Sequence, residues 1–279
     1  MLRIVTDGTA DMPNDWENNF DINVVPINIH FGEKTYLQFR DLDNDGFYKM
    51  VEETHKIPKT SQPSPHQFME FYRTIAQPGD TILSVHVTSK LSGTFDSALV
   101  AARDLAGQYN IIPFDSACGS AGIGMMCRAA RLMDRAGEPI WQIVKRLESI
   151  REKISITLAL DTLKYARMSG RVGTLQAALA SVLNVKPIIT LQQGMLQMTE
   201  RVRTRSASLD RIIKIVREKF GDSPLNMAVV HARDSDSADL LLKKVKESFT
   251  INEPIVTDLS ISVAANLGPG TVGIVAFPE

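Results

Sequence analysis

Residues 81–107 constrain this chain more than any other stretch. An alternating, β-branched apolar run (Ile82, Leu83, Val85, Val87) gives way to Thr88-Ser89-Lys90-Leu91-Ser92-Gly93-Thr94. An Ala-rich stretch follows, with Leu99, Val100, Ala102 and Leu105 at helical spacing. A period of two, then a tight polar loop, then a period near 3.6 reads as strand, loop, helix. The design returns at 110–115, NIIPFD, which leads through Ser116-Ala117-Cys118-Gly119-Ser120-Ala121-Gly122 into a helix holding Met125, Met126, Ala129, Ala130, Leu132 and Met133. Strands alternating with helices predict a parallel sheet with right-handed crossovers. Loops at the carboxyl ends of such strands collect ligands, and hydroxyls and N–H groups at a helix N-terminus suit an anion. The Ser92 loop is therefore the candidate site for a small anionic head group, a carboxylate first of all.

The remaining pattern extends that frame in both directions. Residues 2–6 make a first strand that ends in Asp7-Gly8-Thr9-Ala10-Asp11-Met12-Pro13, with Pro13 suited to the first turn of a helix. Residues 23–31, NVVPINIHF, read as a strand with Pro26 inside, at a sheet edge or in a separate hairpin. A short strand near 35–39, a helix from 41–45 to about Thr54, a loop over 59–65 and a helix carrying Phe68, Phe71, Tyr72 and Ile75 come next. Gly137 ends the Met-rich helix and Pro139 starts another, to about Lys153. The pattern then changes. A strand at 155–160, a helix near 174–183 and a hairpin of 187–191 with 195–203 about Gln193-Gly194 precede a helix at about 206–219. A strand (226–232), a helix (about 236–249) and two strands (255–260, 271–277) complete the chain. The expected fold is α/β: a parallel-sheet α/β domain over 1–157 and an α+β two-layer domain over 158–279.

Several function classes are excluded early. A formal net charge of −1 does not suit nucleic acid or an anionic membrane surface. No apolar run approaches the ~18–20 residues of a membrane helix, so no stable membrane insertion is expected. The N-terminal residues lack a signal-peptide pattern, and two cysteines, Cys118 and Cys127, make no disulfide framework. A cytoplasmic location follows, and no metal or cofactor is expected. The phosphate-loop, dinucleotide and nucleophile-elbow motifs are all missing. Three strands nevertheless end in hydroxyl- and Asp-rich loops, at 7–11, 88–94 and 115–124, joined by the loop at 59–65. Each reads singly as a cap or turn, and together they read as one polar cleft. His86 lies in an apolar strand, as a satisfied core or crevice histidine, and His55 and His66 look solvated. Ser92 as the nucleophile of a hydrolase or transferase on a small acyl or phosphorylated substrate is the rival reading, and it lacks an evident base.

The second domain supplies cations. Arg171 sits between Gly170 and Gly173, where backbone can approach a ligand. Arg201, Arg203 and Arg205 alternate as on one strand face, either solvated or a docking patch for an acidic or phosphate-bearing partner. Asn266 opens an Asn266-Leu267-Gly268-Pro269-Gly270-Thr271 loop, too Gly/Pro-rich for a strand and too pointed for a linker, and its amide can donate to an oxyanion.

Taken in order, Asp7-Gly8-Thr9-Ala10-Asp11-Met12-Pro13, Lys59-Thr60-Ser61-Gln62-Pro63-Ser64, Leu91-Ser92-Gly93-Thr94-Phe95, Asp115-Ser116 with Gly122-Ile123-Gly124, Ser169-Gly170-Arg171 and Gly268-Pro269-Gly270-Thr271-Val272-Gly273 resemble the motifs of the DegV family. That family includes the fatty-acid-binding (FakB-type) subunits of bacterial fatty acid kinase. The resemblance implies a non-catalytic, monomeric carrier that buries one long-chain fatty acid (C16–C18) in a tunnel and presents its carboxylate to an ATP-dependent kinase subunit. Carried over by motif, the carboxylate falls to Thr60 or Ser61, to Ser92 with Gly93, and to Arg171 and Asn266. Thr9, Ser116, Met125 and Met126 are candidate lining, and Arg201 and Arg203 candidate docking residues. Two positions depart from the family pattern. Gly8 stands where serine is usual, which loosens a loop. Asn266 stands where histidine is usual; asparagine can hydrogen-bond a carboxylate but carries neither proton nor charge.

Overall fold

The fold is taken from a computed structural model that describes residues 1–173 and 185–279. The helix expected near 174–183 lies outside the described residues. The chain divides into one unit of Met1–Arg151 with Ser260–Ser262, and a second of Glu152–Leu259 with Val263–Glu279. A domain boundary at 157 would cut a strand that lies whole in the second unit.

The first unit runs β1 (Leu2–Asp7), α1 (Trp16–Asn19), β2 (Ile22–Val25), β3 (Asn28–Phe31), β4 (Lys34–Leu37), α2 (Asn44–Thr54), β5 (Lys59–Ser61), α3 (Pro65–Ile75), β6 (Thr81–His86), α4 (Thr94–Asp104), β7 (Asn110–Asp115), α5 (Ala121–Arg135) and α6 (Ile140–Lys153). Four strands form an all-parallel sheet in the order β2-β1-β6-β7. Its inner strands β1 and β6 are buried nearly end to end, as strands covered on both faces must be, which is why they read as near-continuous apolar runs. Phe68 and Tyr72, one helical turn apart on α3, join Val5, Val25, Ile82, Ala98 and Leu105 in one apolar cluster. Burying each such large side chain contributes about 1.5–3 kcal/mol. α3 starts cleanly because Ser64 and Gln67 form a reciprocal capping box with Pro65 in the first turn.

Pro26 divides the single strand expected at 23–31: β2 is an edge strand of the parallel sheet, and β3 belongs to a separate antiparallel sheet, β4-β3-β5. A residue that cannot donate to a ladder makes that break. The 59–65 loop is partly strand, since β5 pairs with β3 over Asn28–Ser61, Ile29–Thr60 and His30–Lys59. Pro13 stands before the helix and not in it; its carbonyl accepts the Trp16 N–H (2.9 Å), where α1 begins.

The second unit contains β8 (Ser155–Ala159), α7 (Lys164–Ser169), β9 (Val172–Gly173), β10 (Lys186–Gln192), β11 (Met195–Val202), α8 (Arg205–Phe220), β12 (Leu225–His231), α9 (Ser235–Ser248), β13 (Ile255–Asp258), α10 (Ile261–Leu267, whose first two residues group with the first unit) and β14 (Val272–Pro278). Its seven strands order as β13-β12-β14-β8-β10-β11-β9, a mixed sheet. The β10–β11 hairpin turns on Gln193 (φ 51°) and Gly194 (φ 79°), the pair of positive φ values that a tight hairpin requires. Leu209, Ile212 and Val216 of α8 and Leu241 and Val245 of α9 pack with Met227, Val229 and Ile274 of the sheet in one cluster.

Two expectations change here. The strand ends at Val202, so Arg203 lies beyond it and Arg205 opens α8, where Thr204 caps the helix through the Ala207 N–H (3.1 Å). The shared strand face of Arg201, Arg203 and Arg205 does not exist. Asn266 lies in the last turn of α10 and not in a pointed loop.

Candidate functional site

The carboxyl ends of β1 and β6 meet at one buried carboxylate. Asp7 Oδ1 accepts the N–H (3.0 Å) and hydroxyl (2.5 Å) of Thr9; Oδ2 accepts from His86 Nδ1 (2.9 Å) and the Val87 N–H (3.1 Å). On the far side of the ring, His86 Nε2 meets Ser84 Oγ (2.7 Å), and Ser84 Oγ meets the Tyr72 hydroxyl (2.8 Å). Asp7, Ser84, His86 and Tyr72 are all 0% exposed. Burial alone would push the Asp7 carboxyl up; the hydrogen bond and charge of His86, with the Thr9 hydroxyl and N–H, outweigh it and hold the carboxyl below its ordinary value. Burial also raises the Tyr72 hydroxyl. His86 is thus the satisfied core histidine that its apolar strand implied.

Beyond β6 the chain enters the Ser92 loop. Its root is fixed by Thr88, whose N–H goes to the Cys118 carbonyl (2.9 Å) and whose own carbonyl accepts Leu91 N–H (3.0 Å) and Ser92 N–H (3.3 Å). Ser92 is half-buried; its Oγ bonds the Thr94 hydroxyl (2.8 Å) and accepts the Thr94 N–H (3.3 Å). The N-cap of α4 is Gly93, which has no side chain to cap it. A Cβ on Gly93 would stand 2.8 Å from Gln62 Nε2. The loop after β5 and the loop after β6 therefore lie against each other, and glycine is what lets them close. Within the former, Thr60 and Ser61 are consecutive strand residues and point to opposite faces. Thr60 is paired with the fully buried Ile29, whereas Ser61 Oγ is engaged by His30 Nε2 (2.8 Å), whose Nδ1 meets Thr35 Oγ1 (2.9 Å). Ser92 as a nucleophile finds a hydroxyl and not a base, because His86 is occupied on both nitrogens.

The other expected lining residues divide. Thr9 is half-buried and tied to Asp7. Ser116 is fully buried and turned onto its own loop, accepting the Cys118 N–H (3.2 Å) and donating to the Cys118 carbonyl (3.3 Å). Met125 and Met126 are buried in α5. Burial pushes the thiols of Cys118 and Cys127 up to about 12. Gly8 does not merely loosen its loop: a Cβ there would lie 2.8 Å from Gln38 Oε1, so the Gln38 amide fills the space of a serine side chain and donates to the Gly8 carbonyl (2.7 Å). The same carbonyl accepts from Ser262 Oγ (2.9 Å), while Asp11 accepts from Ser120 Oγ (2.5 Å) and the Ser260 N–H (2.8 Å).

In the second unit, Arg171 is exposed and its guanidinium donates to the Ser169 carbonyl. Ser169 Oγ in turn contacts the Asn266 carbonyl (3.4 Å), so these two motif positions do come together. Arg205 is consumed structurally, paired with Asp234 (3.2 Å) and Asp161 (3.5 Å) and bonded to the Gly270 carbonyl beside that turn. Arg201 and Arg203 are exposed. Sequence reasoning missed Ser84, Tyr72, Gln62, His30 and Gln38; only Ser84-x-His86, two positions on one strand face, carried a readable signal.

Among the described residues, no group of three or more His, Cys, Asp or Glu is placed to hold a metal, and no helix is long and apolar enough to cross a membrane. Comparison with known proteins adds family context. The profile of a family described as "Uncharacterised protein, DegV family" matches residues 1–279. A DegV domain-containing protein of Streptomyces coelicolor is 31% identical over 280 residues, covering 98% of this chain and 97% of the relative. The solved structure reported as fatty acid binding of a DegV family protein from Thermus thermophilus superposes with a TM-score of 0.90 at 29% identity, over 100% of this chain and 99% of the other. That of DegV from Bacillus subtilis, described as a fatty acid binding protein, gives 0.85 at 26% identity, over 100% and 99%.

Proposed function

The chain belongs to the DegV family, and from that premise we propose that it binds one long-chain fatty acid of the C16–C18 class in an apolar tunnel and holds the carboxylate at the Ser92 loop. The observation that supports this reading is the approach of Gly93 to Gln62, which brings the loop that follows Thr60 and Ser61 against the loop that carries Ser92 at a helix N-terminus. Thr60, on the face of Ile29, is the strand hydroxyl left for a ligand while His30 occupies Ser61. Likeness to solved DegV proteins described as fatty acid binding supports the choice of ligand. Arg171 and Asn266 are further carboxylate residues in this reading.

The energetics suit a lipid. Burying ~14 methylenes at about 0.8 kcal/mol each gives about 11 kcal/mol before ordering costs. Each hydrogen bond to a charged oxygen adds about 1.5–3 kcal/mol. The tail sets affinity and the head group sets orientation. The protein is then a cytoplasmic carrier with no chemistry of its own. A separate ATP-dependent fatty acid kinase subunit acts on the presented carboxylate, with the exposed Arg201 and Arg203 as candidate docking residues.

Native mass spectrometry of the chain purified from a bacterial host tests this. The expected result is a co-purifying mass of one C16–C18 acid. Empty protein that turns over small esters would support the hydrolase instead.

A further inference from the structure

The buried chain Tyr72–Ser84–His86–Asp7 touches the root of every hydroxyl-bearing loop in the proposed head-group site. Asp7 grips Thr9 with one oxygen and the Val87 N–H with the other, so one carboxylate fixes both the loop after β1 and the strand end that becomes the Ser92 loop. The His86 carbonyl accepts the Ser116 N–H (3.1 Å), which ties the loop after β7 to the same residue. On its other side, the ring meets α3 twice: through Ser84 to the Tyr72 hydroxyl, and through the edge-on ring of Phe68 (5.0 Å between centroids, 82°). The N-terminus of α3 is the Ser64 cap that directly follows Thr60-Ser61-Gln62-Pro63. His86 therefore joins the segments that carry Thr9 and Ser92 by its ring through Asp7, that of Thr60 by its ring through α3, and that of Ser116 by its backbone carbonyl.

An ionised Asp7 only accepts, so His86 Nδ1 carries the proton and donates to it. At Nε2 a neutral ring accepts from the Ser84 hydroxyl and a charged ring donates to it; in either case Ser84 Oγ links the ring to the Tyr72 hydroxyl. The Tyr72 end of the chain, on α3, can be changed without touching the ligand loops.

We propose that His86 is a positioning residue, which holds the hydroxyl-bearing loops of the first unit in their ligand-gripping arrangement through this relay. Its consequence for a ligand rests on the fatty-acid reading above; its consequence for the loops does not.

The test uses His86→Leu and, because that variant can fail to fold, Tyr72→Phe, which removes only the far hydroxyl. The first readout is hydrogen exchange of the Thr9, Val87 and Ser92 amides, each of which has a hydrogen-bond partner within these loops. The second is affinity for hexadecanoic acid relative to hexadecanol, which share a tail and differ in head group. Tyr72→Phe is expected to speed exchange at the three loop amides about tenfold while the Met126 amide of α5 keeps its rate. The acid-over-alcohol preference is expected to fall about tenfold, with alcohol affinity held within about twofold. Partial recovery in His86→Asn, whose amide can still donate to Asp7, supports the relay further. Unchanged loop exchange, or exchange that rises equally in α5, overturns the proposal. So does a wild-type preference for acid that survives intact in the variants. If the loops loosen as expected but the wild type never prefers acid over alcohol, the positioning role stands and the carboxylate reading falls.

Discussion

Two loops of like composition leave the adjacent strands β6 and β7 and are put to different uses. In the loop after β7, the polar groups are spent on the loop itself and on its neighbours, where Ser120 donates to Asp11 and Asp115 accepts the Ser89 N–H. Asp115 holds the Ala117 N–H (2.9 Å), Ser116 bonds both backbone groups of Cys118, and Ala117 and Ser120 sit at φ 50° and 55°. In the loop after β6, Ser92 also bonds its own loop, at the Thr94 hydroxyl and N–H. Its hydroxyl, however, is half-buried where Ser116 is fully buried, and it lies at a helix N-terminus whose N-cap is glycine. Hydroxyls at strand ends are cheap for an α/β fold to provide. Only an accessible hydroxyl can hold a ligand, and exposure is what separates Ser92 from Ser116.

The largest effect that tests the contrast is on stability. A Cβ on Gly124, behind the β7 loop, would stand 2.6 Å from the Asp11 carbonyl oxygen and 3.0 Å from Met12 Cβ, where backbone must move. Gly124→Ala is expected to cost about 2–4 kcal/mol in urea unfolding. Gly93→Ala meets only the swinging end of Gln62 and should cost less than about 1 kcal/mol. Equal costs would break the division between a structural and a ligand loop. A smaller effect sharpens it. Ser92→Ala should lower retention of hexadecanoic acid about tenfold, the loss of one charge-assisted bond, while Ser116→Ala leaves retention within about twofold. Equal losses measured by isothermal titration would place Ser116 in the site after all.

Periodicity made the parallel sheet and most helices legible, because β1 and β6 are buried on both faces and Ser64-Pro65-His66-Gln67 announces α3. The short elements were hidden for physical reasons. β5 has three residues and is paired with β3, and α10 has seven, two turns at most, too few for a helical period to stand out. Arg205 was misplaced because its alternation with Arg201 and Arg203 mimics a strand face, whereas Thr204 caps the helix that Arg205 opens. Local motifs offered Ser92, Gly93 and Thr60 as candidates, but the relay joins Asp7 to His86 across 79 positions. Pairings at that separation are set by the register of the sheet, which no single stretch of residues encodes. Gln38 over Gly8 belongs to the same kind: a side chain from one sheet fills a space in a loop of another.

A crystal structure determined with hexadecanoic acid tests the central claim most directly. The account predicts a carboxylate oxygen about 2.5–3.0 Å from Ser92 Oγ, with the tail enclosed by apolar side chains. A structure in which the protein's own side chains fill that space, with Ser92 turned away from any bound acid, would contradict it.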